Sequence, residues 1–555
     1  MLSLAPDQEL SPSGPNHLCA LPPELIDNIL TYLSVVDVNS VSEASRLLRR
    51  HATSEFIWQR LVQANVPGVK VASPAPCPTF RALFAAHDPR WFLPKHKIWF
   101  SGRDLVGKLV VARYDPRRGC IEGYQLLATS NPSTYQHLDV GGETIIIHSF
   151  EPSVKLHLDM PVLQLHADHP SSPACIEHRL AINHIPLRSD LPTPPSSRSN
   201  SEASPATPSS HSRFQVETSM IPHDLARNPV VAASLMLARS LSPEEVTARA
   251  TLTFPYGGVW PPPAVPARHR VGKVKPRSAD LAAPPGATDG PTCRSEVSDS
   301  AFRIRTWLEM REGVGPVQAV AGLGIHWLPI LQTLRRQYRI EGQVGGRMGE
   351  EITTYSTLDP ELYTPTPEKP YRGIWVGDYS GHGCEFLLIN QPEEAGVSFD
   401  PESLIQEDNE TEEEFRQRKY DKTVHRGRLE AIKLTGDDNV PRGEYSFVAE
   451  DLGDNLGDSS PITAAQEAPF KGARVVRSKG HVANSGFVNG ESTTASFPNV
   501  CIAVPSNLFS HLGEDTYIES QLILISHDRL AQYWVDFGHI SFFERVDIDQ
   551  FLQPE

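Results

Sequence analysis

Between residues 186 and 300 the chain carries two runs that neither a helix interior nor a central strand tolerates: Leu191-Pro192-Thr193-Pro194-Pro195-Ser196-Ser197 and Ser204-Pro205-Ala206-Thr207-Pro208-Ser209-Ser210. Proline has no amide hydrogen to give to a ladder, and its ring collides with the preceding helical turn. Segments of this composition bury too little apolar area to offset the entropy of ordering the chain. Most of 186–300 is therefore expected to be a disordered insert. Its Ser-Pro and Thr-Pro pairs invite proline-directed phosphorylation, or follow simply from composition. The 49 prolines and the 39% hydrophobic content of the 555 residues fit this picture. The remainder is enough chain for roughly two or three domains.

On the N-terminal side, residues 1–17 are polar and expected to be a flexible tail. Residues 18–65 read as helices. Leu25, Ile26, Ile29, Leu30 and Leu33 recur at helical spacing, and Leu21-Pro22-Pro23 sits where a helix can begin. Asp37 is expected to cap a second helix bearing Val38, Val41, Ala44 and Leu48. A third is expected to place Phe56, Trp58 and Leu61 on one face. From residue 80 to 185 strands take over. Lys108–Tyr114 and Cys120–Leu127 flank the turn sequence Asp115-Pro116-Arg117-Arg118-Gly119 and form an expected hairpin. Thr144–Phe150 and Val154–Leu158 are expected to follow. The apolar run Pro229–Ala238 is about half of what a membrane span needs. Residues 301–349 can order, but their pattern assigns them no place. From 350 to 546 the expected strands are 373–376, 385–389, 429–434, 444–449, 500–504, 517–525, 530–537 and 540–546. An acidic run, Glu407 to Glu414, reads as a solvated loop among them. Short strands with Gly and Pro turns suggest a barrel or sandwich.

The stretch from Leu21 to Leu33, followed by Asp37-Val38, Ala44-Ser45-Arg46 and Trp58-Gln59-Arg60-Leu61, resembles the F-box. The triplet Ala-Ser-Arg and the Val after Asp37 depart mildly from that pattern. Arg372-Gly373-Ile374-Trp375-Val376-Gly377-Asp378-Tyr379 with His382-Gly383-Cys384-Glu385 is similar to a signature of the F-box only protein 31 family. Leu429 to Gly443, Tyr533 to Gly538 and Ser541 to Val546 are similar to further segments of it, and Asp88–Pro94 with Ala112–Gly119 resembles fungal proteins of this kind. The resemblance covers residues 20–160 and 350–546. It implies an α+β multidomain chain: an α-helical F-box followed by a mainly antiparallel β-barrel-like receptor, interrupted by the long insert. It also implies a substrate-recognition subunit of a Skp–cullin–F-box ubiquitin ligase, with degrons near protein C-termini as its targets. The partners would be a Skp-type adaptor, the cullin and RING subunits reached through it, and protein substrates. Leu21, Pro22, Leu25, Ile29, Leu33, Val38 and Val41 would meet the adaptor.

Trp375, Asp378, Tyr379, His382 and Glu385, set among Gly377, Gly381 and Gly383, are candidate substrate-binding residues on a loop that presents polar and aromatic groups. A hairpin turn satisfied by its glycines is the plain alternative. No Ser or Cys nucleophile motif accompanies them, so no catalytic residue is assigned. His166, His169, Cys175 and His178 could supply zinc ligands, although their spacing matches no strong finger pattern; otherwise no cofactor is expected. Arg113, Arg117 and Arg118 make a small basic turn, solvated or gripping a carboxylate. The formal net charge of −16 makes nucleic acid or an anionic membrane an unsuitable general partner. Seven scattered cysteines without a CxxC pair fit free thiols. With no secretory signal visible, the expected location is cytoplasm or nucleus. A lipocalin-like binding module acting outside a ligase, or a metal-dependent enzyme, are the competing readings.

Overall fold

A computed structural model describes residues 18–101, 106–130, 135–140, 143–167, 216–220, 231–240, 291, 293–309, 347–379, 383–392, 405–406, 410–436, 440, 442–465, 469–482, 487–488, 491–492 and 516–555. It opens with four short helices. α1 (Pro23–Leu30) begins with a proline in its first turn, where the missing amide hydrogen costs nothing. α2 (Val35–Ala44) is capped by Ser34 rather than the expected Asp37: the Ser34 Oγ accepts from the Asp37 amide at 3.2 Å. Asp37 instead sits inside the first turn, where its negative charge suits the helix dipole. Extended Ser45 ends α2 and caps α3 (Arg46–Ala52), so one expected helix is two. In α4 (Glu55–Gln63) Trp58 is buried, its Nε1 donating to the Ala52 carbonyl at 2.7 Å, while Phe56 faces outward. The shared face expected for the two fails because residues two apart lie on opposite sides of a helix. α5 (Phe80–His87) and α6 (Phe92–His96) lead into the strands.

The first strands are β1 (Ile98–Ser101), β2 (Leu109–Asp115) and β3 (Cys120–Ser130), followed by the hairpin β4 (Tyr135–Val140) and β5 (Glu143–His148), then β6 (Pro152–His166), β7 (Glu217–Met220), β8 (Val231–Arg239), β9 (Val297–Glu309) and β10 (Arg347–Ser356). All but β4 and β5 form one antiparallel sheet in the order β6-β3-β2-β1-β10-β9-β8-β7. β7 and β8 lie inside the stretch 186–300 and are ordered parts of it that had not been expected. The apolar run at 229–238 supplies β8, and β9 and β10 use the ends of the segment that had no assigned place. The two proline runs lie outside the described residues.

The second unit comprises β11 (Gly373–Asp378), β12 (Cys384–Asn390), β13 (Leu429–Lys433), β14 (Tyr445–Ala449), β15 (Arg474–Val482), a small hairpin β16 (Phe487–Val488) and β17 (Glu491–Ser492), then β18 (Thr516–Ser526), β19 (Arg529–Trp534) and β20 (His539–Arg545). Without that hairpin, the strands run β11-β12-β13-β14-β15-β18-β19-β20 and return to β11, closing an eight-stranded antiparallel barrel. Closure rests on the pairs Trp375–Arg545, Val376–Glu544 and Gly377–Phe543. Above them β20 changes partner: His539 and Ile540 pair in parallel with Ile146 and Ile147 of β5. The expected strand at 500–504 lies outside the described residues, and β15 had not been expected. The acidic run expected to be a loop leads instead into the helix Glu412–Val424, where Thr411 and Glu414 form a reciprocal capping box.

Strand alternation gives the open sheet two buried faces. Trp99, Val110, Ala112, Phe302 and Tyr355 pack with Trp58, Phe84, Trp91 and Leu93 of the helices. Ile98, Phe100, Leu109 and Val111 pack on the outside of the barrel, against Ile374, Val376, Phe386, Leu388 and Phe542. The molecule is thus layered as helices, sheet and barrel. No helix among the described residues is long and apolar enough to cross a membrane.

Candidate functional site

The N-terminal helices leave several large apolar side chains exposed. Ile26 and Leu30 point into the core, so on α1 the side chains between them turn outward. Leu25 is 48% exposed, Ile29 41%, Tyr32 81%, Leu47 40% and Phe56 53%. His51 Nδ1 lies 2.7 Å from Asp27 Oδ1 and ties α3 to α1. Of the residues expected to meet the adaptor, Pro22 is exposed, and Leu21, Leu33 and Val41 are half-buried against the core. Val38 is fully buried, so it packs in the core instead of facing outward. Tyr32, Leu47 and Phe56 were missed by the sequence reading. Their signal is a large apolar residue off the inward stripe of its helix.

The barrel has a dry end and a polar end. Phe447 of β14 meets Phe543 of β20 at 5.1 Å between ring centroids, and these strands are not neighbours, so the two rings cross the interior. With them, inward residues from all eight strands fill the lower half: Trp375, Leu387, Leu429, Ala431, Val476, Leu522 and Leu530 among others. The filling is tight. A Cβ on Gly377 would come within 2.6 Å of the Phe543 ring, and one on Gly480 would run into the Trp534 ring. Trp375, expected to meet substrate, is fully buried at the dry end. Its Nε1 donates to the Tyr371 carbonyl at 3.0 Å and its ring lies 5.3 Å from the Arg545 guanidinium. It is a packing residue of the barrel floor, not part of a surface.

Toward the other end the inward side chains become polar. Lys433 Nζ sits 2.5 Å from Glu385 Oε2, both nearly inaccessible, and 4.2 Å from the centre of the Tyr379 ring. The Tyr379 hydroxyl is 2.5 Å from Ser446 Oγ, on the residue that bulges β14. Across the interior, Ser478 and Ser520 hydroxyls are 2.8 Å apart, and Gln532 Nε2 donates to Ser520 at 3.0 Å. Gln532 Oε1 and Trp534 Nε1, both buried, have no hydrogen-bond partner among the described residues. Asp378 alternates to the outer wall, opposite Cys384 on β12. There it faces the place where β20 exchanges β11 for β5. His148 and His539 meet at this fork, 5.8 Å between ring centroids. Burial, and then the neighbouring His148, push the His539 pKa down to about 4. His148 is also lowered by burial, against the pull of Asp378.

Of the expected substrate-binding set, Tyr379 and Glu385 are brought together, Asp378 lies on the other side of the wall, and His382 lies outside the described residues. Cys384 does not have the character of a nucleophile. Burial first, then the charges of Asp378 and Glu385, push its thiol up to about 11. Of the candidate zinc ligands, His166 ends β6, whereas His169, Cys175 and His178 lie outside the described residues. No group of side chains among the described residues could hold a metal ion. The basic turn is internally paired: Arg117 and Arg118 both bind Asp115, at 3.0 and 2.7 Å. Burial alone would raise the Asp115 carboxyl, but the two guanidiniums outweigh it and hold the pKa below its usual value.

No curated protein matches the chain. Residues 355–550, which contain the whole barrel, match the family model of the cyclin D1 binding domain. Residues 18–64, the four helices with the exposed apolar side chains, match the F-box-like family model. The chain therefore carries an F-box-like domain at residues 18–64, followed by a barrel segment similar to the cyclin D1 binding domain.

Proposed function

We propose that this chain is the substrate-recognition subunit of a Skp–cullin–F-box ubiquitin ligase. The observation that carries the reading is that Leu25, Ile29, Tyr32, Leu47 and Phe56 are solvent-exposed on a helical unit of the F-box-like type. Large apolar side chains left exposed on one small helical unit point to a protein interface. A Skp-type adaptor covers it, with Leu21, Pro22, Leu33 and Val41 at its margin, and brings the cullin and RING subunits. The barrel then holds the target. Similarity to a domain named for binding cyclin D1 supports a protein target, with a cyclin as the first candidate. At the polar end Tyr379 is partly exposed above the buried Lys433–Glu385 pair, with Asp378 on the adjoining outer wall, and the target is placed there. The tightly filled interior speaks against a lipocalin-like ligand cavity, and the raised Cys384 thiol against covalent catalysis at this site. The chain breaks no bond itself; it raises the effective concentration of target at the charged ubiquitin carrier. It acts where thiols stay reduced, in cytoplasm or nucleus.

The test is a pull-down of the purified chain with its own Skp adaptor and cullin, beside the Leu25→Ala, Ile29→Ala double variant. Both side chains are outside the core, so the variant is expected to fold and to lose roughly 1–4 kcal/mol of adaptor binding per anchor. Equal binding by the two proteins, or none by a folded wild type, would refute the reading.

A further inference from the structure

Among the described residues, two of the places at which the F-box-like helices are held on the body bear on their orientation. One is α5: Trp58 meets Phe84 edge to face at 5.6 Å, and the Phe80 amide donates to Glu55 at 2.9 Å. The other is made by the segment after β20. The Val546 amide donates to the Ile374 carbonyl of the barrel at 2.8 Å. Ile548 and Leu552 are buried in the core shared by sheet and barrel. Asp549 pairs with Lys97, just past α6, at 2.7 Å. Arg113 of β2, itself buried and fixed by Glu122 at 2.8 Å, donates through one nitrogen to the carbonyls of Phe551 and Gln553, at 3.1 and 3.0 Å. Leu552 then lies against Gly68, in the loop that leaves α4. A Cβ on Gly68 would meet Leu552 at 2.7 Å, and its φ of +76° is one that glycine alone adopts freely.

One segment thus touches the barrel, the sheet and the loop behind the F-box-like helices in succession. We propose that residues 546–553 are a strap that fixes the orientation of the F-box-like unit relative to the barrel. Two supports restrain a rotation that a single helix contact leaves free. Resting on the receptor reading above, the consequence is that the strap sets the direction in which a bound target is presented to the ligase. Ubiquitin transfer is a positioning problem, so a loosened mount slows it without weakening either binding step.

The experiment uses the full chain with Leu552→Glu, which drives the strap from Gly68 and the shared core. Arg113→Lys serves as a second variant that keeps a positive charge but loses the planar guanidinium that holds Glu122 through Nε and the two carbonyls through Nη1. Fluorophores on non-natural amino acids at positions 50 and 477 report the distance between the helices and the barrel. Hydrogen exchange reports the loop around Val66 and Val71. The expected result is a broadened distance distribution and protection in that loop reduced about tenfold. Adaptor and target affinities should stay within about twofold, while target ubiquitination slows about fivefold. If Leu552→Glu does not fold, Arg113→Lys decides by the same readouts. An unchanged distance distribution and unchanged protection in a folded variant would overturn the strap. A broadened distribution with an unchanged transfer rate would overturn its role in presentation. Failure of the wild type to bind the adaptor strikes the receptor reading instead, and the distance measurement still settles the strap.

Discussion

Both β units bury an ion pair, and the two pairs are embedded differently. In the open sheet, Arg113 and Glu122 meet at 2.8 Å with almost no exposure. Each has further partners: Arg113 grips two carbonyls of the C-terminal segment, and Glu122 accepts from the Tyr124 hydroxyl at 3.1 Å and from Arg118. In the barrel, Lys433 and Glu385 meet at 2.5 Å, and the lysine also lies 4.2 Å from the centre of the Tyr379 ring. Burying two charges is costly in either place, and a pair is retained where the geometry compensates. The sheet pair acts as a joint between units. The barrel pair marks the depth at which a dry interior becomes a polar one.

This contrast can be broken most strongly at Lys433. Lys433→Ala takes the ammonium away from the buried Glu385 carboxylate, and urea unfolding should register a loss of about 3–5 kcal/mol. Glu122→Gln is expected to cost less, about 1–2 kcal/mol, because Arg113 keeps its carbonyls and the amide keeps a hydrogen bond. Equal costs would mean that the extra partners of Arg113 contribute nothing. A second effect belongs to the barrel alone. His539 has a folded pKa of about 4, below its unfolded value, so its contribution is fully present above about pH 6.5 and is lost as the pH falls toward the folded pKa. Stability at pH 5 should be lower than at pH 7 by about 1–2 kcal/mol, and His539→Gln should flatten that dependence. A pH profile identical in the variant would remove His539 from the account. The smallest effect is chemical. With its thiol pushed up to about 11, Cys384 should react with a maleimide far more slowly at pH 7.5 than an unperturbed cysteine does. Rapid labelling at Cys384 in the folded chain would show that the outer wall beside Asp378 opens.

Sequence legibility followed the same divide. The hairpin β2–β3 was readable because its turn residues interrupt two β-rich runs. Most barrel strands were readable because an inward row alternates with an outward one. β15 was not, since Arg477 and Lys479 on its outer face are exposed and break the apolar signal. The helix Glu412–Val424 was missed for a related reason: it buries Val424 and little else, so its end signals rather than an apolar stripe define it. β7 and β8 were missed because the composition of a long segment concealed two short runs within it. The F-box-like motif was legible in order and spacing, but Val38 shows the limit of such reading. A motif position conveys that a residue matters, not whether it faces a partner or the core. Trp375 teaches the same lesson within the barrel: its glycine-rich surroundings suggested a presented loop, whereas Gly377 makes room for Phe543.

The pairing of β1 with β10 has a consequence for how the molecule is made. Phe100 aligns with Ser356, and the intervening chain includes the whole insert. At roughly 5–20 residues per second, Ser356 leaves the ribosome on the order of 10–50 s after Phe100 does. For most of that interval the F-box-like helices exist without Phe302 and Tyr355, which belong to the same apolar core. The newborn chain therefore shows apolar surface on both sides of its first helices for far longer than a helical bundle needs to fold. An adaptor or chaperone that engages during synthesis would cover one of those sides, and the late arrival of β10 would close the other.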